Sequence, residues 1–529
     1  MGNITNIRFS ETHSFSKLIL DYLSARTGLE VFYQYPLGEK QIPAIAAAKQ
    51  KENIDRKVLA GIIHQQYSGL DIHPLVKSNT DALENENTFC VVTAHQLNIF
   101  TGPLYYIYKI ACAINASNHL KSLYPQYNFV PVYWMGSEDH DFEEINHIHL
   151  FGKSLEWPDK QGGATGNYSP SSLSSLIGEL KIVLGDLPFA NELSSVFETA
   201  YSKPNLADAT RFLVNALFGQ NGLLIVDGNC TVFKQQFIHV MEDELVNQIS
   251  CELVNEQIEK LDQLGYKSQA APREINLFYL GNHSRERIVC ENSQYGIRNT
   301  QYTFTKDEIL AELHAHPGKF SPNVILRPLF QQKILPSVAY IGGGGELSYW
   351  LQLKPVFEKY QINFPQLILR NSVLLLNENQ QSKMDKLGLS AADLFKDIDV
   401  LKKEYISRFE EQPVEFNAQK KAISRQFEEI QHRTKLIDAS LVNTIGAELQ
   451  KTLQAIEGLE KRLLKSLKQK NETELNQLEK LKQQLFPGNE LQERYENFSP
   501  YYARKGRAFL DHLVAELNPY TKEFLIIPV

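Results

Sequence analysis

The sequence predicts an α/β protein with a long α-helical coiled coil near its C-terminal end. Three observations lead there. Short apolar runs rich in β-branched residues, such as Phe89–Val92 in TFCVVTAHQ, each run into a polar loop and then a helical pattern. Four consecutive glycines, Gly342–Gly345, join one such run to a helix that opens near Glu346. Residues 414–486 hold no proline, and Leu441, Ile445, Leu449, Leu453, Ile456, Leu459, Leu463 and Leu467 recur there at three or four.

At 529 residues, 43% of them hydrophobic and 22% charged, the chain has the length of several domains and a globular composition. A net charge of −8 gives no footprint for nucleic acid, and no such partner is expected. The N-terminus shows no secretory signal. It begins Met1-Gly2 but lacks Ser or Thr at the sixth position, so myristoylation is not expected either. No run approaches about 18 apolar residues, so no membrane span is expected. Cys90, Cys112, Cys230, Cys251 and Cys290 are scattered and never spaced C-x-x-C. That usage predicts a reducing cytoplasm and buried thiols, with no zinc or redox site.

Residues 1–85 read as an N-terminal helical segment, with SFSKLILDYL as a helix after Ser14 as cap. Residues 86–150 read as the first half of an α/β core: the strand at 89–92, the amphipathic helix LYYIYKIACAINASNHL, and a second strand, FVPVYWMG. Residues 151–320 read as an insertion with its own small sheet, holding the strand GLLIVDG and a hairpin in NLFYLGNHSRERIVCE. The second half of the core spans 321–390, with strands at Val338–Ile341 and in INFPQLILR. Residues 391–487 are the coiled coil. As one rod its proline-free part would reach ~110 Å at ~1.5 Å per residue. A hairpin turning near HRTKLIDAS is expected instead. Residues 488–529 return to globular composition and end in the strand EFLIIPV.

Three places carry candidate chemistry, and all lie where strands end, the position at which open α/β sheets bind ligands. In TAHQLNIFTGPLYYIYK, Thr93, His95 and Gln96 leave a strand, Gly102 permits a close backbone approach, and Tyr105 and Lys109 sit in the first turns of a helix whose start favours an anion. In YWMGSEDHDFEEINHIHL, Ser137, Glu138, Asp139, His140 and Asp141 leave the next strand. This stretch suits a metal site, an acid/base centre or a substrate rim. Its plainer reading is an acidic helix start, with Glu143 and Glu144 in the next element and His147 and His149 as support. The histidine spacings of seven and two weaken the metal reading, because ligands on one helix face sit four apart. An imidazole between Asp139 and Asp141 suits proton transfer or substrate binding. In the third place, Gly342, Gly343, Gly344 and Gly345 let backbone approach a ribose or phosphate, and Glu346 opens the helix. The glycines match neither a P-loop nor a dinucleotide fingerprint. Asn323, Arg327 and Arg370 flank this half; each arginine suits either a structural ion pair or a bidentate contact with a carboxylate or phosphate.

Together TAHQLNIFTGPLYYIYK, PVYWMGSEDHDFEEINH, SPNVILRPL and LPSVAYIGGGGELSYWLQLKPVFE resemble the BshC family, the cysteine-adding ligases of bacillithiol biosynthesis. The resemblance covers essentially the whole chain. It implies a Rossmann-like core akin to class I aminoacyl-tRNA synthetases and nucleotidyl transferases, with connecting-peptide insertions and a dimerising coiled coil. It also implies ATP as co-substrate with ADP as its product, and the joining of cysteine to the amine of glucosaminyl-malate. The family often has Thr-Gly-Gln-Gln where this chain has Thr93-Ala94-His95-Gln96, and Gly-Gly-Pro where it has Gly343-Gly344-Gly345. No K-M-S-K-S-like loop is present, which leaves acyl phosphate and acyl adenylate activation both open.

A ligase reading assigns His140 with Asp139 or Asp141 to acid/base work, and Lys109, Arg327 and Arg370 to developing phosphate charge. Mg²⁺ would arrive with the nucleotide rather than in a protein cage. The rivals are a metal-dependent hydrolase built on Glu138–His149 and a scaffold whose function is the coiled coil.

Overall fold

The structure is a computed structural model that describes residues 4–408 and 415–529. Met1 and Gly2, and the Pro413 that opens the proline-free stretch, lie outside the described residues. The chain forms two compact units. One is built from residues up to Leu375 and from Glu490 to Ile527, the other from Leu376 to Asn489.

The first unit is organised on five strands: β1 (Thr88–His95), β2 (Asn128–Met135), β3 (Leu224–Asp227), β4 (Ser337–Gly342) and β5 (Gln366–Leu369). Their order is β5-β4-β1-β2-β3, and every neighbouring pair is parallel. Nearly every residue in them is buried, which is why they read as apolar runs rather than alternating ones. The first strand lies in the middle. The chain builds outward on one side through β2 and β3, then on the other through β4 and β5. Strand order reverses between β1 and β4, and a Rossmann-like sheet leaves its crevice there, outside the carboxyl ends.

Several expectations change. GLLIVDG belongs to the core: Tyr133 faces Ile225 and Trp134 faces Val226 in parallel register. Four apolar residues carry no sign of the sheet they will join. The helix at 104–123, α1 (Leu104–Leu123), is buried round most of its circumference rather than amphipathic. One side packs on β1 and β2, and the C-terminal helix Arg507–Glu516 covers another, with Asn115 Nδ2 donating to the Val514 carbonyl at 2.9 Å. After β2 no helix begins. Residues 136–146 form turns, and the next element is the strand His147–Leu150, paired with Lys153–Glu156 across a tight turn at Phe151 and Gly152, both at positive φ. The N-terminal segment contains a strand, Thr5–Arg8, antiparallel to Glu523–Pro528. Only Ile7 in it is buried, too little to mark a strand in sequence. The first helix, Lys17–Leu23, is capped by Ser16 rather than Ser14.

Between β3 and β4 lies the separate sheet expected there. Its antiparallel strands run in the order Thr303–Phe304, Gln294–Ile297, Arg285–Glu291, Leu277–Leu280, Phe320–Pro322. The last unit-one segment closes over the core through side chains. Gln492 accepts from the Leu375 N–H and donates back to its carbonyl, and Asn497 donates to the carbonyls of Phe100 and Gly102.

In the second unit, helices Asn417–Ile437 and Val442–Lys470 form a hairpin that turns at Asp438–Leu441, at the end of the expected stretch. Glu460 holds the two arms together, accepting from the Phe416 N–H and pairing with Lys420 at 3.0 Å. A further helix, Glu472–Leu485, buries Leu475, Leu478, Leu481 and Leu485. By contrast Leu436, Ile437, Leu459 and Leu463 on the hairpin remain exposed. Among the described residues no helix is long and apolar enough to cross a membrane.

Candidate active site

A cleft of about 680 Å³ opens at the carboxyl ends of the parallel strands. The three predicted places converge on it. The end of β1 contributes His95, the loop after it Gln96, and α1 contributes Tyr105 and Lys109. Glu138 and Asp139 come from the turn after β2, Gly343, Gly345 and Glu346 from the segment after β4, and Arg370 from the end of β5. Asn323 and Arg327 line it from the chain that leads into helix α2 (Arg327–Ile334).

One side of the cleft is cationic. Lys109 Nζ lies 2.7 Å from Glu346 Oε2 and donates to the Ala94 carbonyl at 2.5 Å. Burial lowers the Lys109 pKa, while the neighbouring carboxylate favours its charge. Glu346 also accepts from the Gly343 N–H at 2.8 Å and from the Tyr340 hydroxyl at 3.0 Å. The glycine turn thus aims one N–H at its own carboxylate. Arg327 is held by two neutral groups, Gln331 Oε1 and the Tyr349 hydroxyl, each at 3.0 Å. Arg370 pairs with Glu493 at 2.7 Å, and its guanidinium lies 5.2 Å from the Tyr105 ring centroid.

The other side is acidic. Gln96 Nε2 donates to Asp139 Oδ2 at 2.7 Å and to Glu144 Oε2 at 2.6 Å, tying two loops together. Burial would raise the Asp139 pKa, but the His140 backbone N–H at 2.7 Å, the Arg285 charge and Gln96 outweigh it and hold the carboxyl well below the usual range. Asp139 therefore remains an anion at working pH. Glu138 is paired with the fully buried Lys234.

His140 is exposed and stands beside the lining rather than in it. Its Nδ1 lies 3.0 Å from an Arg285 N–H. A guanidinium only donates, so Nδ1 accepts and Nε2 carries the proton in the neutral ring. That contact occupies the lone pair an acid/base role would use. His95 is neutral: burial, reinforced by Lys109, pushes its pKa down to about 3.

Besides His140, six expected residues fall outside the lining, most of them with a structural task. Thr93 Oγ1 donates to the Ile341 carbonyl, joining β1 to β4. The Ser137 hydroxyl donates to Asp227 at the end of β3. Gly102 has φ +62 and a Cβ there would sit 2.7 Å from Asn98 Cβ, so it serves a tight turn. The Leu104 N–H at the adjoining helix start is taken by the Glu496 carbonyl at 2.7 Å. Asp141 points to solvent. A Cβ on Gly342 would lie within 3.2 Å of Glu346 and Leu347, and one on Gly344 would face Ile19. His149 stacks on Tyr495 at 4.0 Å, and His147 Nδ1 lies 2.9 Å from Asn146 Oδ1. Among the described residues no three His, Cys, Asp or Glu side chains are grouped to hold a metal ion.

The model of the bacillithiol biosynthesis BshC N-terminal Rossmann-like domain matches residues 3–371, and that of the BshC C-terminal coiled-coil domain matches residues 373–529. The chain belongs to the BshC family. Relatives each named "Putative cysteine ligase BshC" include that of Flavobacterium johnsoniae, 43% identical over 99% of both chains. Those of Flavobacterium psychrophilum and Christiangramia forsetii are each 42% identical over 98% of both chains.

This BshC chain also lines its cleft with residues that sequence reading passed over: Trp134, Arg273, Phe278, Arg285, Arg287, Tyr349 and Arg494. Arg285 and Arg287 alternate along one strand and so share a face. The Arg285 guanidinium stacks 4.0 Å from the Phe278 ring centroid and donates from Nε to Ser321 Oγ at 3.1 Å. An R-x-R alternation in the predicted hairpin was the available signal. Arg494 had none, because it reaches the cleft from a short helix, Gln492–Tyr495, placed by side-chain contacts far along the chain.

Proposed function

We propose that the cleft is the active site of a cysteine ligase of bacillithiol biosynthesis, joining the carboxyl carbon of cysteine to the amine of glucosaminyl-malate. The observation that carries this reading is the division of one Rossmann-like cleft in a BshC-family chain into a cationic side and an acidic side. Lys109, Arg327 and Arg370 suit carboxylate and phosphate oxygens, and Asp139, Glu138 and Glu144 suit an ammonium group. The residues present fit ATP with Mg²⁺ as co-substrate, since guanidinium groups and Cβ-less glycines face the same space. ATP supplies the activation that a carboxylate lacks towards an amine. The chain's own residues bind and orient: Arg327 and Arg370 hold oxyanions, Gln96 fixes Asp139, and Asp139 orients the amine. His140 acts as an Nε2–H donor at the rim, its ring set by Arg285. Thr93, Ser137 and Gly102 support these loops from behind. The exposed hairpin leucines belong to a homodimer contact through the coiled coil.

A strain lacking this chain tests the reading. Profiling its thiols should show the cysteinyl product lost, and profiling its sugar amines should show glucosaminyl-malate accumulating. An unchanged thiol pool overturns it.

A further inference from the structure

Arg370 is 4% exposed and its guanidinium is engaged on one edge only. One terminal nitrogen donates to the Asn371 carbonyl at 2.9 Å and to Ser372 Oγ at 3.2 Å, and the other pairs with Glu493 at 2.7 Å. Its Nε–H has no acceptor although the atom is buried. A buried N–H without a partner is costly, and such donors in native proteins have an explanation. Here the explanation lies beside the cleft. A Cβ on Gly343 would sit 3.9 Å from Arg370 Nε and 3.7 Å from Glu346 Oε2, and both Gly343 and Arg370 line the cleft. The missing side chain leaves the space in front of Nε open.

Local charge permits an anion there. Glu493 balances Arg370, and Lys109, 2.7 Å from Glu346, balances the carboxylate that borders the same space. Arg327, held by neutral groups, adds a positive charge in the cleft. Glu493 comes from the C-terminal segment, is 1% exposed, and is itself anchored by the Val373 N–H at 2.9 Å. It fixes which edge of the guanidinium faces inward.

We infer that Arg370 Nε and the open face of Gly343 form an oxyanion subsite, with Glu493 as the positioning residue that aims it. Its ligand is an oxygen of a carboxylate or phosphate group on a bound substrate. The inference rests on the cleft being the active site, and the test separates the two.

Gly343 has φ −76 and ψ 169, which alanine adopts without strain, and the added methyl meets only ordinary contacts. Gly343→Ala therefore fills the subsite without disturbing the fold. Calorimetric titration of the full chain with ADP and, separately, with L-malate distinguishes a phosphate from a carboxylate source. Gly343→Ala should weaken one of the two by about tenfold or more, the worth of a charge-assisted hydrogen bond, with an unchanged urea midpoint. Arg370→Lys, which keeps a charge beside Glu493 but has no Nε–H, should weaken the same probe. If the unmodified chain binds a probe and Gly343→Ala binds both as well as it does, the subsite is wrong while the active-site reading stands. If the unmodified chain binds neither probe, both fall.

Discussion

Replacing Glu493 by Gln should destabilise the first unit by about 3–5 kcal/mol, the cost of breaking a buried ion pair from one side. The magnitude follows from the surroundings. Arg370 and Glu493 are 4% and 1% exposed and 2.7 Å apart. At an effective dielectric of about 20, two charges ~4 Å apart attract by roughly 4 kcal/mol, and that attraction is lost with the carboxylate. The Arg370 charge then stays buried without compensation. The glutamine amide can satisfy the Val373 N–H only by turning its NH₂ towards the guanidinium. The assay is urea unfolding of the full chain followed by tryptophan fluorescence. All three tryptophans, Trp134, Trp157 and Trp350, are buried in the first unit, so the signal reports that unit and not the helical hairpin. An unchanged slope with a lower midpoint is expected. The double variant Glu493→Met with Arg370→Met should recover most of the loss, because apolar groups of similar volume do not require compensation. A Glu493→Gln protein within about 1 kcal/mol of the original would refute the buried-pair reasoning.

His140→Ala should leave the shape of the pH–rate profile unchanged, while Arg285→Ala should raise KM more than His140→Ala does; loss of one limb in His140→Ala would return the histidine to acid/base chemistry. His95 titrates near pH 6.5 when unfolded but at about 3 in the fold. Between those values the unfolded chain binds the extra proton, so stability falls as pH drops below about 6.5. His95→Gln should flatten that decline, read as the change in urea midpoint between pH 7 and pH 5. The proposed coiled-coil homodimer requires that Leu459→Glu with Leu463→Glu lower the sedimentation coefficient to that of a monomer; an unshifted coefficient overturns that contact.

Much of the site could be read from loops at strand ends. The runs around Val91, Val132 and Ile341 announce buried parallel strands, and the cleft opens at their carboxyl ends. His95, Gln96, Lys109, Asp139, Arg327 and Arg370 were legible because each stands within a few residues of such an end or in the helix that follows one. Which polar residues would face the cleft was less legible. Ser137 and Asp139 are two apart, yet one turns inward to Asp227 and the other to Gln96. Gly343 and Gly344 are neighbours, yet only the first meets the open space.

By itself the sequence determined the parallel core, the approximate turn of the helical hairpin and the loops that line the cleft, since all depend on local periodicity and chain direction. Tertiary structure alone decided three things. Leu224–Asp227 joined the core sheet, because a four-residue strand is assigned by its neighbours. Helix 104–123 became buried, because the C-terminal segment covers a face that its own pattern leaves half polar. Glu493 came to hold Arg370 across 123 positions of the chain. The partner of a buried charge is set by which segments pack together, and no local pattern records that.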